Sequence, residues 1–204
     1  MSRPAIPDSY RALIDSPRVS TPTRIALQSR DREDDPAYLP VALTGAKLNT
    51  LRAILSRALP QPGDAPIDLA ARLDAQLAAG EGDGWRFADL PADRAAYAAG
   101  LSTIDAQSRT AHGVAFPDLA PDLQDALLAR AAAGTLDPGA LDAAQIKLWF
   151  QDLLADAAKL YMAHPATLAR IGYSGIAYGG DGPNKPGFTA IGLGEREPWE
   201  PAAP

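Results

Sequence analysis

The chain has 204 residues, with 19 basic against 25 acidic side chains and a net charge of −6. That length gives one sizeable core and disfavours two comfortable domains, and the acidic balance disfavours nucleic-acid and anionic-membrane partners, which need basic patches. The absence of Cys rules out disulfides, thiolate nucleophiles and zinc–thiolate sites.

Ala and Leu dominate and Val and Ile are few, a balance that favours helix over sheet. No apolar run approaches the ~20 residues of a membrane span, so no membrane insertion is expected. Residues 1–17 have no apolar signal region.

Residues 1–40 hold six prolines and the charged run Arg30-Asp-Arg-Glu-Asp-Asp35. They read as an irregular arm without a core of its own, either a flexible leader or a segment anchored by Tyr10, Leu13, Ile14 and Tyr38. A helical domain follows over 41–170. Thr44 is an N-cap for a helix whose apolar face carries Leu48, Leu51, Leu55 and Ala58, stopped at Pro60-Gln-Pro-Gly63. A second helix spans 66–79, with Leu69, Leu73 and Leu77 at four-residue steps and Gly80 as C-cap. Glu81-Gly-Asp-Gly84 is a loop, and Trp85 and Phe87 are core anchors.

A third helix starts near Pro91 and stacks Tyr97, Leu101, Ile104 and Ser108 on one stripe up to His112-Gly113. Phe116 and Leu119 lead to Pro121, which opens a fourth helix bearing Leu123, Leu127 and Ala131 and ending at Gly134. The fifth is capped by Asp142. Its stripe runs through Ile146, Trp149, Phe150, Leu153, Ala157, Leu160 and Tyr161. Pro165 begins a last short turn through Leu168. No alternating strand, hairpin turn or long repeat appears. The fold expected is all-α, a compact bundle of about five helices with an irregular N-terminal arm and an extended Gly/Pro-rich tail.

That tail, 171–204, breaks helices and strands alike. Yet it carries Tyr173, Ile176, Tyr178, Phe188, Ile191, Leu193 and Trp199, and disordered tails are poor in aromatics. It reads as a strap lying on a surface, either the chain's own helices or a partner. Tyr173, Ile176, Tyr178, Asn184, Phe188 and Trp199 are the candidate partner-binding residues, because aromatics dominate interface hot spots. Removing 171–204 is expected to leave the bundle helical and to abolish partner capture.

Catalytic signals are thin. His112 and His164 each stand at the end of a predicted helix, where His meets exposed carbonyls. Gly179-Gly-Asp-Gly182 fits neither GxxxxGK[ST] nor GxGxxG. Asp181 and Asn184 lack the spaced ligands of a calcium loop, and Ser174 lacks a nucleophile elbow. Catalytic, cofactor-binding and metal-ligating residues are therefore expected to be none in this chain. The alternatives are a stand-alone helical enzyme with His112 or His164 as base, or a homo-oligomeric scaffold.

A set of short motifs appears in a recognisable order. Leu43-Thr44 precedes a helix ending Ala58-Leu59-Pro60. Then come Tyr97-Ala-Ala-Gly-Leu101-Ser-Thr-Ile-Asp105, Phe116-Pro-Asp-Leu119, Trp149-Phe150, Tyr161-Met-Ala-His164-Pro165, Arg170-Ile-Gly-Tyr173 and Gly182-Pro-Asn-Lys-Pro-Gly-Phe188. Together these resemble the gluconate 2-dehydrogenase subunit 3 family over roughly 41–200. The resemblance implies a non-catalytic small subunit. Its partner would be a large FAD-dependent flavoprotein of the glucose-methanol-choline type that oxidises sugars, polyols or alcohols, in some complexes with a cytochrome c subunit. A chaperone-like role in folding or export of the large subunit is also implied. Many relatives begin with a twin-arginine leader, which these residues do not show, so the expected location is the cytoplasm, with the periplasm as the alternative if a partner's leader carries the chain or its own leader is missing.

Overall fold

Helix-forming runs in this chain stop where glycine can turn the backbone left-handed. Gly80, Gly113 and Gly134 have φ of 69°, 77° and 69° and close their helices as C-caps, a conformation that costs other residues a steric penalty. The computed structural model describes residues 4–63, 65–80, 84 and 86–201. Among them are eight α-helices and no β-strand. They are α1 (Asp8–Asp15), α2 (Thr21–Arg30), α3 (Gly45–Ala58), α4 (Leu69–Ala79), α5 (Asp93–His112), α6 (Pro121–Ala133), α7 (Ala143–Ala163) and α8 (Pro165–Arg170), with a 3-10 turn at Phe116–Asp118. The all-α class is as expected from sequence. Trp85 and the loop residues 81–83 lie outside the described residues.

The chain divides into two compact units, one of Asp35–Leu160 and one built from both termini, Met1–Asp34 with Tyr161–Pro204. In the central unit α3 packs on α4, α5 and α6. The predicted stripes are its core: Leu48, Leu51, Tyr97, Leu101, Ile104, Leu127, Ile146, Trp149 and Leu153 are all buried. Thr44 caps α3 by accepting the Lys47 N–H, and Asp142 and Gln145 form a reciprocal capping box at the start of α7. The second helix begins later than expected, at Leu69, because Asp68 takes the Ala71 N–H and holds the N-cap. Gly100 faces Trp149 so closely that a Cβ there would land in the indole ring. Tyr97 meets the same ring edge-on, centroids 6.1 Å apart, and donates its hydroxyl to Asp156 at 2.8 Å. Burial, and then the Asp156 charge, hold that phenol well above the usual tyrosine range.

Asp74 organises the entry to this unit. Its fully buried carboxylate accepts the Val41, Ala42 and Leu43 N–H groups at 2.7, 3.1 and 2.7 Å and the Tyr38 hydroxyl at 2.7 Å. Burial alone would raise its pKa. The four donors outweigh that and hold it below the usual carboxylate range.

The terminal unit corrects the expectation of an irregular N-terminal arm. Residues 8–15 and 21–30 are helices. Their prolines stand at helix starts, where a missing N–H costs nothing: Pro7 at the N-cap of α1, and Pro22 in the first turn of α2 after the N-cap Ser20. Nor does this segment lack a core. Ile6, Tyr10, Leu13, Ile14, Val19 and Leu27 are buried with Ala166, Leu168, Ala169 and Ala177, and Ile176 and Trp199 pack against them. The Arg24 guanidinium ties the end of α1 by donating to the carbonyls of Ile14, Ser16 and Val19 at 3.0, 2.8 and 3.1 Å.

Candidate partner-binding surface

Lacking helix or strand after Arg170, the strap satisfies its backbone through side chains and through the N-terminal helices. Gly179 and Gly180 both donate to the Arg18 carbonyl, at 3.0 and 2.5 Å. Gly180 has φ 66°, and any Cβ on it would collide with the Pro17 carbonyl oxygen, so this approach requires glycine. The Tyr10 hydroxyl donates to the Tyr173 carbonyl at 2.6 Å. Asp181 takes the Thr21 N–H at 2.8 Å and the Thr21 hydroxyl at 2.6 Å, at the first turn of α2. A carboxylate is favoured there by the exposed N–H groups and the helix dipole. The bonds to Thr21, hydroxyl first, lower its pKa.

The far end of the strap folds on two glutamates. Glu197, 9% exposed, accepts from the Thr189 and Ala190 N–H groups and from the Thr189 hydroxyl. The Ala190 and Thr189 amides, in that order, hold its carboxyl below the usual range. Glu200 accepts the Ser174 hydroxyl and the Glu197 N–H. Glu195 closes a turn by accepting the Gly192 N–H at 3.0 Å while its own N–H donates to the Gly192 carbonyl.

The six residues expected to bind a partner divide into different environments. Phe188 and Trp199 pack with their rings tilted 48° to each other, centroids 5.2 Å apart, and the Arg18 guanidinium covers Trp199 at 4.5 Å. Ile176 packs on the core of the terminal unit. These three side chains are half-buried in the chain's own fold. Tyr173, Tyr178 and Asn184 are exposed. Tyr173 and Ile176 line an open groove with Pro22, Ala26, Leu27 and Leu168. Between the two destinations left open by the sequence, the strap lies on this chain's own N-terminal helices.

Ile191 and Leu193, outside that set, are also exposed, at 87% and fully, both at the turn braced by Glu195 and Glu197.

The histidines lie in different units. His112 is exposed in the last turn of α5. His164 is 1% exposed, and its Nδ1 accepts the Ala166 N–H at 3.2 Å as N-cap of α8. Its imidazole therefore caps the start of the following helix, where the sequence pattern had placed it as a cap on the end of the preceding one. Among the described residues no group of three or more His, Asp or Glu could hold a metal ion. No described helix is long and apolar enough to cross a membrane.

Comparison with protein families matches residues 46–180 to the model described as gluconate 2-dehydrogenase subunit 3. Neither curated proteins nor solved structures give a match. The matched span takes in α3 to α8 and the proximal strap, and leaves out α1, α2 and the strap beyond Gly180.

Proposed function

Because the chain belongs to the gluconate 2-dehydrogenase subunit 3 family, we propose that it is the non-catalytic small subunit that binds and stabilises a large FAD-dependent dehydrogenase. The partner is of the glucose-methanol-choline type, acts on sugars, polyols or related alcohols, and carries the flavin and the substrate pocket itself. A cytochrome c subunit completes the electron path where one is present. We place the complex in the cytoplasm, or in the periplasm when the partner's leader exports both chains.

The family match carries this reading. The chain's own polar groups support it: Asp74, Asp181, Glu197 and His164 each accept hydrogen bonds that hold local structure.

The test is co-expression of the tagged chain with the large subunit. The expected eluate is yellow with bound flavin and oxidises a sugar acid with an artificial acceptor. A large subunit that folds, stays soluble and turns over equally well without this chain, and never co-elutes with it, sinks the reading.

A further inference from the structure

Within the terminal unit, Arg18, Pro186, Thr189, Glu197, Pro198 and Trp199 line an open cleft of about 470 Å³. Two charged groups in its wall have bonding capacity that the fold leaves unused. Glu197 is 9% exposed, and the three bonds it accepts, from the Thr189 and Ala190 N–H groups and the Thr189 hydroxyl, all fall on Oε1. Its Oε2 accepts none among the described residues. The Arg18 guanidinium lies 4.5 Å above the centre of a Trp199 ring, and among the described residues its N–H groups reach no acceptor.

The two charges feel each other. After the Ala190 and Thr189 bonds, the Arg18 charge also helps hold the Glu197 carboxyl low. Yet they do not close into an ion pair. The indole holds the guanidinium, and the three bonds to Oε1 pin the carboxylate. A fixed donor and a fixed acceptor thus face one cleft, and a ligand placed between them orders little that is not already ordered.

What fits must donate to Oε2 and accept from the guanidinium. A hydroxyl group does both with one oxygen. An ammonium group brings three donors to a single open acceptor, and a phosphate or carboxylate meets Glu197 as a like charge. One cation and one anion in the wall favour a ligand without net charge. Pro186, Pro198 and the indole give apolar surface for the C–H groups between hydroxyls. We propose that this cleft binds a small neutral polyol through a vicinal diol that donates to Glu197 Oε2 and accepts from Arg18. The proposal stands on this chain's own residues and not on the subunit reading, so either can fail without the other.

The experiment titrates the nitrogen-15-labelled full chain with xylitol and follows the backbone amide signals of 187, 189, 197 and 199 and the Trp199 indole signal by NMR. These signals are expected to shift together and to saturate in the millimolar range. Glu197→Gln is the sharpest variant. Its Oε1 still takes the Thr189 and Ala190 bonds, while an NH2 group stands where Oε2 was, a donor in place of the open acceptor. It is expected to bind xylitol roughly ten-fold weaker or worse, with amide exchange at 189 and 190 unchanged. Arg18→Gln, which leaves the bonds to Oε1 in place, is expected to show the same loss and decides the matter if Glu197→Gln loosens the turn.

Parallel titrations use glycine and inorganic phosphate. Saturation of the same signals by either one at lower concentration than xylitol assigns the cleft to a zwitterion or an anion and overturns the proposal. Xylitol shifts that are absent from these positions, or a folded Glu197→Gln or Arg18→Gln variant that binds xylitol like wild type, overturn it as well.

Discussion

Asp181 reaches across 160 residues of sequence to take both the backbone N–H and the hydroxyl of Thr21. This one carboxylate fixes the strap to the first turn of α2. Replacing it with Ala should free the Thr21 amide and loosen the neighbouring Gly179 and Gly180 bonds to Arg18. Hydrogen exchange followed by mass spectrometry should show faster exchange at 21 and at 179–180 in Asp181→Ala, with the central unit unaffected. Unchanged protection would mean that the other contacts hold the strap alone. The pH dependence has a definite sign. The folded pKa is lowered, so the latch is complete above the ordinary carboxylate range and weakens as pH falls through the lowered value.

The Asp74 cluster predicts opposite behaviour at the two ends of the pH scale. Asp74→Ala removes the acceptor of three N–H groups and of a half-buried phenol and should cost about 1–3 kcal/mol in urea unfolding. Asp74 is lowered in the folded state, so its contribution is present above pH ~4 and is lost as pH drops through the folded value. Tyr38 is pushed up to about 12 by burial and then by its bond to Asp74. Its contribution is complete below pH ~10 and is lost as pH rises toward 12. Tyr38→Phe should therefore remove part of the alkaline loss and leave the acid loss largely unchanged. An identical alkaline limb in Tyr38→Phe would assign that loss elsewhere.

Helices α3 to α7 were legible because each repeats its apolar residues at three- and four-residue steps and ends on Gly or Pro. The same residues, Leu51, Leu101 and Trp149 among them, are buried. Helices α1 and α2 were hidden by their prolines. Six prolines in forty residues read as irregular until Pro7 and Pro22 are seen at helix starts. Their core was hidden for another reason: Tyr10 and Leu13 pack with Ala169 and Ala177, and no local periodicity reports a pairing over such a separation. The strap's aromatics correctly marked it as an ordered segment. Which of them face outward depends on hydrogen bonds accepted by Glu195, Glu197 and Glu200, which a pattern of side-chain types does not encode. Asp74 escaped notice because it stands beside Leu73 in an otherwise ordinary helix.

Gly100 tests the central core directly. With the Trp149 indole lying where a Cβ would go, Gly100→Ala must displace the ring and with it the edge-on contact to Tyr97. Alanine is the better helix former by up to ~1 kcal/mol, so propensity and packing oppose each other here. Packing should win, because the clash is with a fully buried ring that has no free space to enter. The expected net effect is destabilisation of about 1–3 kcal/mol, measured by thermal or urea unfolding with tryptophan fluorescence as reporter. A neutral or stabilising Gly100→Ala would show that the ring relaxes freely.

Removing 171–204 now has a different expected outcome from the one its composition implied. The strap supplies Ala177 and Ile176 to the core around Tyr10 and Leu27, and Trp199 to the Arg18 stack. It also accepts the Tyr10 hydroxyl through the Tyr173 carbonyl. The burial of Tyr10, and then the nearby Tyr173, hold its phenol above the ordinary range, and truncation opens that site to water. α1, α2 and α8 have eight, ten and six residues, too short to persist without packing. The truncated chain should lose their share of the helical circular-dichroism signal while α3 to α7 remain, and its Tyr10 phenol should titrate at lower pH than in the full chain. Gly180→Ala is the milder version: it keeps every strap residue, yet forces the backbone away from Pro17. It should raise amide exchange at 18–21 and 179–181 with little loss of helix signal. Full retention of the helix signal in the truncated chain would mean that α1 and α2 hold together through Arg24 and their mutual packing alone.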